Sequence, residues 1–186
     1  MAKRMVPRDR SRIFRDCVLY MDVLAETATK VRAGEDLSVA LPITFTIDAQ
    51  LDVPRTLKWA FVSHAVITAY KIVIRGIDAQ GNRRIVTLTQ NDGWSGETDV
   101  AFGYITSIQM TERTGAGSGD TMNIGTGSKL GLPNSIAATA NIVIKKNQAN
   151  WPSANYTAYP RFDTVDVSVG GAISAWDDLT FWYDAF

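Results

Sequence analysis

His64 is the only histidine in the chain, and it sits in the apolar stretch Leu57 to Tyr70. A single imidazole removes any two-histidine metal site and leaves every His-dependent triad resting on this one residue. In such surroundings it reads first as a packed core or edge side chain. Cys17, the only cysteine, follows Asp16 and has no histidine near it in sequence, so a Cys-His nucleophile would need the fold to bring in His64. Asp92, Glu97 and Asp99 surround Gly93 and Gly96 with the composition of a calcium loop but not its ligand order, and read as an acidic turn. Ile124-Gly125-Thr126-Gly127-Ser128-Lys129 has the glycines of a phosphate loop but neither the G-x-x-x-x-G-K-[ST] nor the G-x-G-x-x-G spacing. Asp163, Asp166, Asp177, Asp178 and Asp184 make the last 25 residues acidic, with no base after Arg161. A glycosidase needs two carboxyl groups facing each other across a cleft, and nothing in the spacing places two of these so. They read as a solvated face or as a patch answering a basic partner. The five tryptophans, Trp59, Trp94, Trp151, Trp176 and Trp182, could stack on sugars, but at least half are expected as core or subunit-interface anchors. No catalytic residue, metal ligand or cofactor site is expected, and the chain does not read as an enzyme.

The bulk composition agrees. Hydrophobic residues make up 46% and charged residues 20% of 186 residues, enough for one good-sized globular domain. The longest apolar runs, such as Trp59-Ala60-Phe61-Val62 and Ile142-Val143-Ile144, fall far short of the roughly 18 residues of a spanning helix, so no membrane partner is expected. The lone cysteine fits assembly in a reducing cytoplasm, and the first 15 residues hold no apolar core of a secretion signal. The net charge of zero hides an asymmetry: Lys3, Arg4, Arg8, Arg10, Arg12 and Arg15 against Asp9 give those 15 residues a charge of +5, and the rest of the chain therefore carries −5. Such an arm is a solvated terminus or a contact for an acidic protein surface or nucleic acid; charge alone does not choose, and nucleic acid is the less expected partner.

The elements that must position these residues are strands. Cys17 to Leu24 and Leu37 to Ile47 have strand character, the second through Leu41, Ile43, Phe45 and Ile47 alternating with Pro42, Thr44, Thr46 and Asp48. Pro42 confines its start to an edge, and Ala25 to Asp36 reads as a loop or irregular excursion. Leu57 to Tyr70 reads as strand rather than buried helix. The clearest local signal is a hairpin: Tyr70, Ile72 and Ile74 alternate with Lys71, Val73 and Arg75, a turn follows over Asp78 to Asn82, and Ile85, Thr87 and Thr89 alternate with Val86 and Leu88. Val100 to Met110 is β-like, with Phe102, Tyr104 and Ile108 as expected core. Thr114 to Asn134, with six glycines, is expected to be loop-dominated, with a short strand at Thr121 to Ile124. Strands are expected at Ala140 to Lys145, Thr164 to Val169 and Leu179 to Tyr183. Short strands at regular spacing predict an all-β fold, a single β-sandwich or jelly-roll-like domain over 17–186 with a basic N-terminal arm over 1–16.

Two segments carry a resemblance. Ile72-Val73-Ile74-Arg75-Gly76-Ile77-Asp78-Ala79-Gln80-Gly81-Asn82, then Val86-Thr87-Leu88-Thr89 and Ala101-Phe102-Gly103-Tyr104-Ile105-Thr106-Ser107-Ile108, resembles a pattern common in structural proteins of tailed bacteriophages. Gly119 to Pro133 resembles the "G-D-x-x-x-I-G-x-G-x-x-L-G-L-P" segment found downstream of it. The resemblance implies a virion protein of the head decoration or cement type, bound to the major capsid protein on the capsid surface and forming homotrimers. It implies no catalytic residues. The expected capsid or subunit contacts lie outside the matched segments: Lys3, Arg4, Arg8, Arg10, Arg12 and Arg15 of the arm, with Trp176 and Trp182. A neck, tail or head-fibre protein, a carbohydrate-binding module and a glycosidase are the alternatives, in that order.

Overall fold

The computed structural model describes residues 16–115, 118–134, 142–152, 156–159, 164–167 and 177–183. Among these the chain is all-β, with no α-helix and one 3₁₀ turn at Gln90–Asp92. The strands are β1 (Asp16–Val23), β2 (Thr27–Asp36), β3 (Ile43–Thr44), β4 (Arg55–Ser63), β5 (Ala69–Ile77), β6 (Arg83–Thr89), β7 (Ser95–Glu97), β8 (Tyr104–Thr114), β9 (Thr121–Gly131), β10 (Val143–Lys146), β11 (Ala149–Trp151), β12 (Thr157–Tyr159), β13 (Thr164–Asp166) and β14 (Asp177–Tyr183).

They form three antiparallel sheets. The terminal sheet runs β1-β14-β10-β11, the central sheet β12-β13-β9-β4-β7, and the hairpin sheet β3-β8-β5-β6. β4 follows one edge of β9 from Thr121 to Leu130, so β2 and β13 share the other, β2 opposite Thr121 to Thr126 and β13 opposite Lys129 to Gly131. β9 is therefore the common wall of the molecule. Its first half gives Met122 and Ile124 to a core shared with the hairpin sheet, where Ile72, Ile74, Phe102, Ile105, Ile108 and Met110 meet Leu57, Trp59 and Phe61. Its end gives Leu130, joined by Leu132, to a second core with Val165, Ile144, Leu179, Phe181 and Tyr183. Each pair of apolar faces is a sandwich, and the sandwich-like all-β fold read from the strand pattern is the one observed.

Arg55 stands where the two cores meet, paired in register with Leu130 and bridged to Phe102, and its side chain is fully buried. Nη1 donates to Leu24 O at 3.0 Å and to both oxygens of Asp52 at 3.1 and 3.2 Å. Burial works against the ionised carboxyl of Asp52. Arg55, the Leu24 N–H and Lys30 outweigh it and hold that carboxyl below the usual carboxylate range.

Three sequence expectations need correction. Thr27 to Asp36 is a strand, not a loop. Register shifts after Thr27 and Arg32 break its alternation, so the period-2 signal is absent although the pairing with β9 is real. Thr114 to Asn134 is not loop-dominated, because β9 runs eleven residues through it. Its glycines serve close approach rather than turning. A Cβ at Gly125 would collide with the backbone of Thr27 and Ala28, where β2 crosses, and one at Gly131 would lie 2.6 Å from Ala101 Cβ. Glycines of positive φ, Gly115 and Gly119, occupy the preceding turn. Leu37 to Ile47 shrinks to the two paired residues of β3. Proline at 42 has no N–H to give, and beyond Phe45 the chain leaves β8, Asp48 N donating instead to Val31 O at 2.8 Å. Ile43 and Phe45 are buried as the alternation requires, but Leu41 is exposed.

Candidate functional site

The residues whose chemistry opened the question are held in structural roles. His64 stacks on the Trp94 indole, ring centroids 4.1 Å apart and 5° from parallel, with Phe61 edge-on at 6.0 Å. Glu97 receives the Thr56 hydroxyl and the backbone N–H groups of Ser128 and Lys129 at 2.9 and 3.2 Å, which ties β7 and β4 to β9. Asp92 accepts from Thr89 N at 2.7 Å and closes the 3₁₀ turn. Asp120, 2% exposed, accepts from Ala65 N at 3.0 Å. Asp177 lies 2.7 Å from Lys146 Nζ. The glycines once compared with a phosphate loop lie inside β9. Among the described residues no three of His, Cys, Asp or Glu gather as a metal site would require.

A groove of about 420 Å³ opens on the central sheet between Ala28 and β7, lined by Lys58, Trp59, Ala60, Ser95, Gly96 and Glu97. Its charged groups are engaged: Lys58 pairs with Glu26 at 2.6 Å, and Glu97 is held as above. Gly96 lies flat on the Trp59 ring, where a Cβ would come within 2.6 Å of Cζ2. What remains is a shallow, mostly aliphatic floor without a reacting group.

The outward face of the hairpin sheet is different. In β5 the side chains of Tyr70, Ile72 and Ile74 enter the core, which turns Lys71, Val73, Arg75 and Ile77 outward. Register places Arg75 between Ile85 and Ser107, and Ile77 between Arg83 and Tyr104. Ile85 is 66% and Tyr104 51% exposed, unusual for side chains of this size. Arg75 Nη1 donates to Gln109 Oε1 at 3.1 Å, whose Nε2 in turn reaches Thr44 at 3.3 Å. Lys71 is neutralised by Glu112 at 2.8 Å and Arg84 by Asp78 at 2.6 Å. Arg75 and Arg83 make no ion pair among the described residues. The sheet end is fixed by the Asp78 turn: Oδ1 accepts from Gln80 N at 2.9 Å and Asn82 N at 2.8 Å. Burial opposes the charge on this carboxyl, but these N–H groups and Arg84 prevail and hold it below the usual range. The result is a rigid, level face of two uncompensated guanidinium groups beside exposed apolar and aromatic side chains, the composition of a protein-contact hot spot.

Of the contacts expected from sequence, Lys3, Arg4, Arg8, Arg10, Arg12, Arg15 and Trp176 lie outside the described residues. Trp182 is on β14, its backbone paired between Cys17 and Val143, while its side chain is outside the description. Trp59 is buried, Trp94 is covered by His64, and Trp151 packs against the second core under Lys146 Nζ, 5.6 Å from the ring centre. Tyr104, expected in the core, is on the surface, because β8 alternates from Ile105 inward and its neighbour must face out. Arg75, Arg83 and Ile85 were overlooked as contacts. The signal was present in the polar half of the same alternation that revealed the core. Compared with protein-family models, curated proteins and solved structures, the chain matches none.

Proposed function

We propose that the protein is a non-enzymatic virion component of the head decoration or cement type, which binds the major capsid protein on the outside of a tailed-phage head and associates with its own copies as a homotrimer. The observation that carries the reading is the outward face of the hairpin sheet. It holds Tyr104 and Ile85 in the open on a backbone locked by a full antiparallel ladder, and that is how a protein binds another protein. The segments of phage resemblance coincide with β5, β6, β8 and β9, the ladder and the common wall. The basic arm adds a tether outside the fold, and each further contact raises the effective concentration for the next.

Co-sedimentation of the purified protein with empty heads of the same virus tests this. Pelleting that saturates at a fixed ratio to capsid protein is expected, weakened when residues 1–15 are removed. A protein that stays in the supernatant at every concentration tried would overturn the reading. Saturable binding to isolated tails instead would move the protein to the neck or tail.

A further inference from the structure

The outward face of the hairpin sheet and the acidic carboxy-terminal region belong to opposite ends of the molecule. Residues 69–89 hold Lys71, Arg75, Arg83 and Arg84 against Asp78, a charge of +3, while residues 162–186 hold five aspartates and no base, a charge of −5. β5 and β6 cover the core built on Met122 and Ile124; β13 and β14, which bear Asp166, Asp177 and Asp178, enclose the core built on Leu130 and Leu132. The eight residues of β9 between Met122 and Leu130 set these regions roughly 25 Å apart at the rise of a strand. One copy cannot bring its basic face to its own acidic end.

We propose that the basic, apolar face of the hairpin sheet docks on the acidic carboxy-terminal end of a second copy, head to tail. Charge complementarity selects the occupant, since both halves of the contact are in the one chain. Ile85 and Tyr104 supply the apolar centre and Arg75 and Arg83 the orienting charges. A contact between two different patches is heterologous, and it closes into a ring where the rotation per copy permits. Nucleic acid is the poorer occupant: two uncompensated guanidinium groups fall short of the six to ten phosphate contacts typical of such binding. The inference deepens the proposed function by naming the self-contact, yet its test needs no capsid, so the two stand or fall separately.

The experiment is light scattering on the full chain at 0.1 M and 0.5 M NaCl. Wild type is expected at a whole multiple of 20.4 kDa, with at least about tenfold weaker association at the higher salt. Arg75→Glu/Arg83→Glu is expected at the monomer mass with unchanged circular dichroism, and so is Ile85→Ser/Tyr104→Ser, which leaves every charge in place. Mixing Arg75→Glu/Arg83→Glu with Asp166→Lys/Asp178→Lys restores the larger mass. A monomeric wild type overturns the proposal, and so do folded variants that keep the wild-type mass. Loss of capsid pelleting at unchanged mass would give the face to the capsid protein, and loss of oligonucleotide binding at unchanged mass would give it to nucleic acid; either overturns the second copy as occupant. Should the charge reversals fail to fold, Arg75→Gln/Arg83→Gln must still weaken association.

Discussion

Arg55 Nη1 lies 3.1 Å from Asp52 Oδ1, and the two charges are shut inside the wall between the cores, their side chains 1% and 10% exposed. A buried pair of this kind contributes little net stability, but removing one partner strands the other in an apolar setting. Arg55→Met alone is expected to cost about 3–5 kcal/mol, and Arg55→Met/Asp52→Leu less than the single change. Urea unfolding of the three proteins measures both. A double variant as unstable as the summed singles would show the pair to be uncoupled.

The acid limb of the stability profile should report the same site. Asp52 and Asp78 have folded-state pKa values below their unfolded ones. Their contribution is complete above about pH 4 and drains away as pH falls through the folded values. Denaturation midpoints between pH 7 and pH 2 should therefore hold level to about pH 4 and then drop, with Asp78→Asn flattening part of the drop.

The alkaline limb has the opposite sign. Burial pushes the Tyr70 phenol up to about 12, and burial followed by the charge of Tyr183 raises Tyr20; both donate to carbonyls, Tyr70 to Gly93 and Tyr20 to Gly131. The protonated forms are the folded ones, so this stability is full below about pH 10 and is lost as pH rises toward 12. Absorbance titration of the phenols should show a late fraction that vanishes in Tyr20→Phe/Tyr70→Phe.

Two neighbours on one strand approach separate surface from core. Phe102→Ala removes a fully buried ring and should cost about 3–5 kcal/mol, whereas Tyr104→Ala, at 51% exposure, should move stability by less than about 0.5 kcal/mol. A large loss at Tyr104 in thermal melts would mean that its ring is covered.

Gly125→Ala should destabilise by about 2 kcal/mol or more, because the new methyl lands on the backbone of β2 rather than on a side chain that can swing away. Gly34→Ala meets nothing within 4 Å but has φ +60°, so it should cost about 1 kcal/mol. The order of the two losses in chemical denaturation distinguishes crowding from backbone strain.

The hairpin from Tyr70 to Thr89 was legible in the sequence because each strand has one wet and one dry face and the turn is dictated locally by Asp78 and Gly81. β2 and β9 were not, for related reasons. β2 is bulged twice, so no period survives, and β9 is glycine-rich where another backbone lies against it. In both, the cause of the strand is the neighbour across the sheet, which a linear pattern does not contain. The exposed contact face was half legible. Alternation marks Arg75 and Ile85 as outward, but that Lys71 and Arg84 are neutralised while Arg75 and Arg83 are not depends on Glu112 and Asp78, brought in by pairing and by a turn.

β1 has a single hydrogen-bonded neighbour, β14, which joins it from Tyr183 opposite Asp16 to Asp177 opposite Val23. During synthesis the first strand must wait for the last. Until then Leu19, Met21 and both of its backbone edges are open to any other nascent chain on the same messenger. Translation pauses, early termination or proteolytic trimming near residue 177 would all leave the same lesion, an unpaired sticky edge at the far end of the polypeptide. Quality control of this protein is thus decided at its final strand.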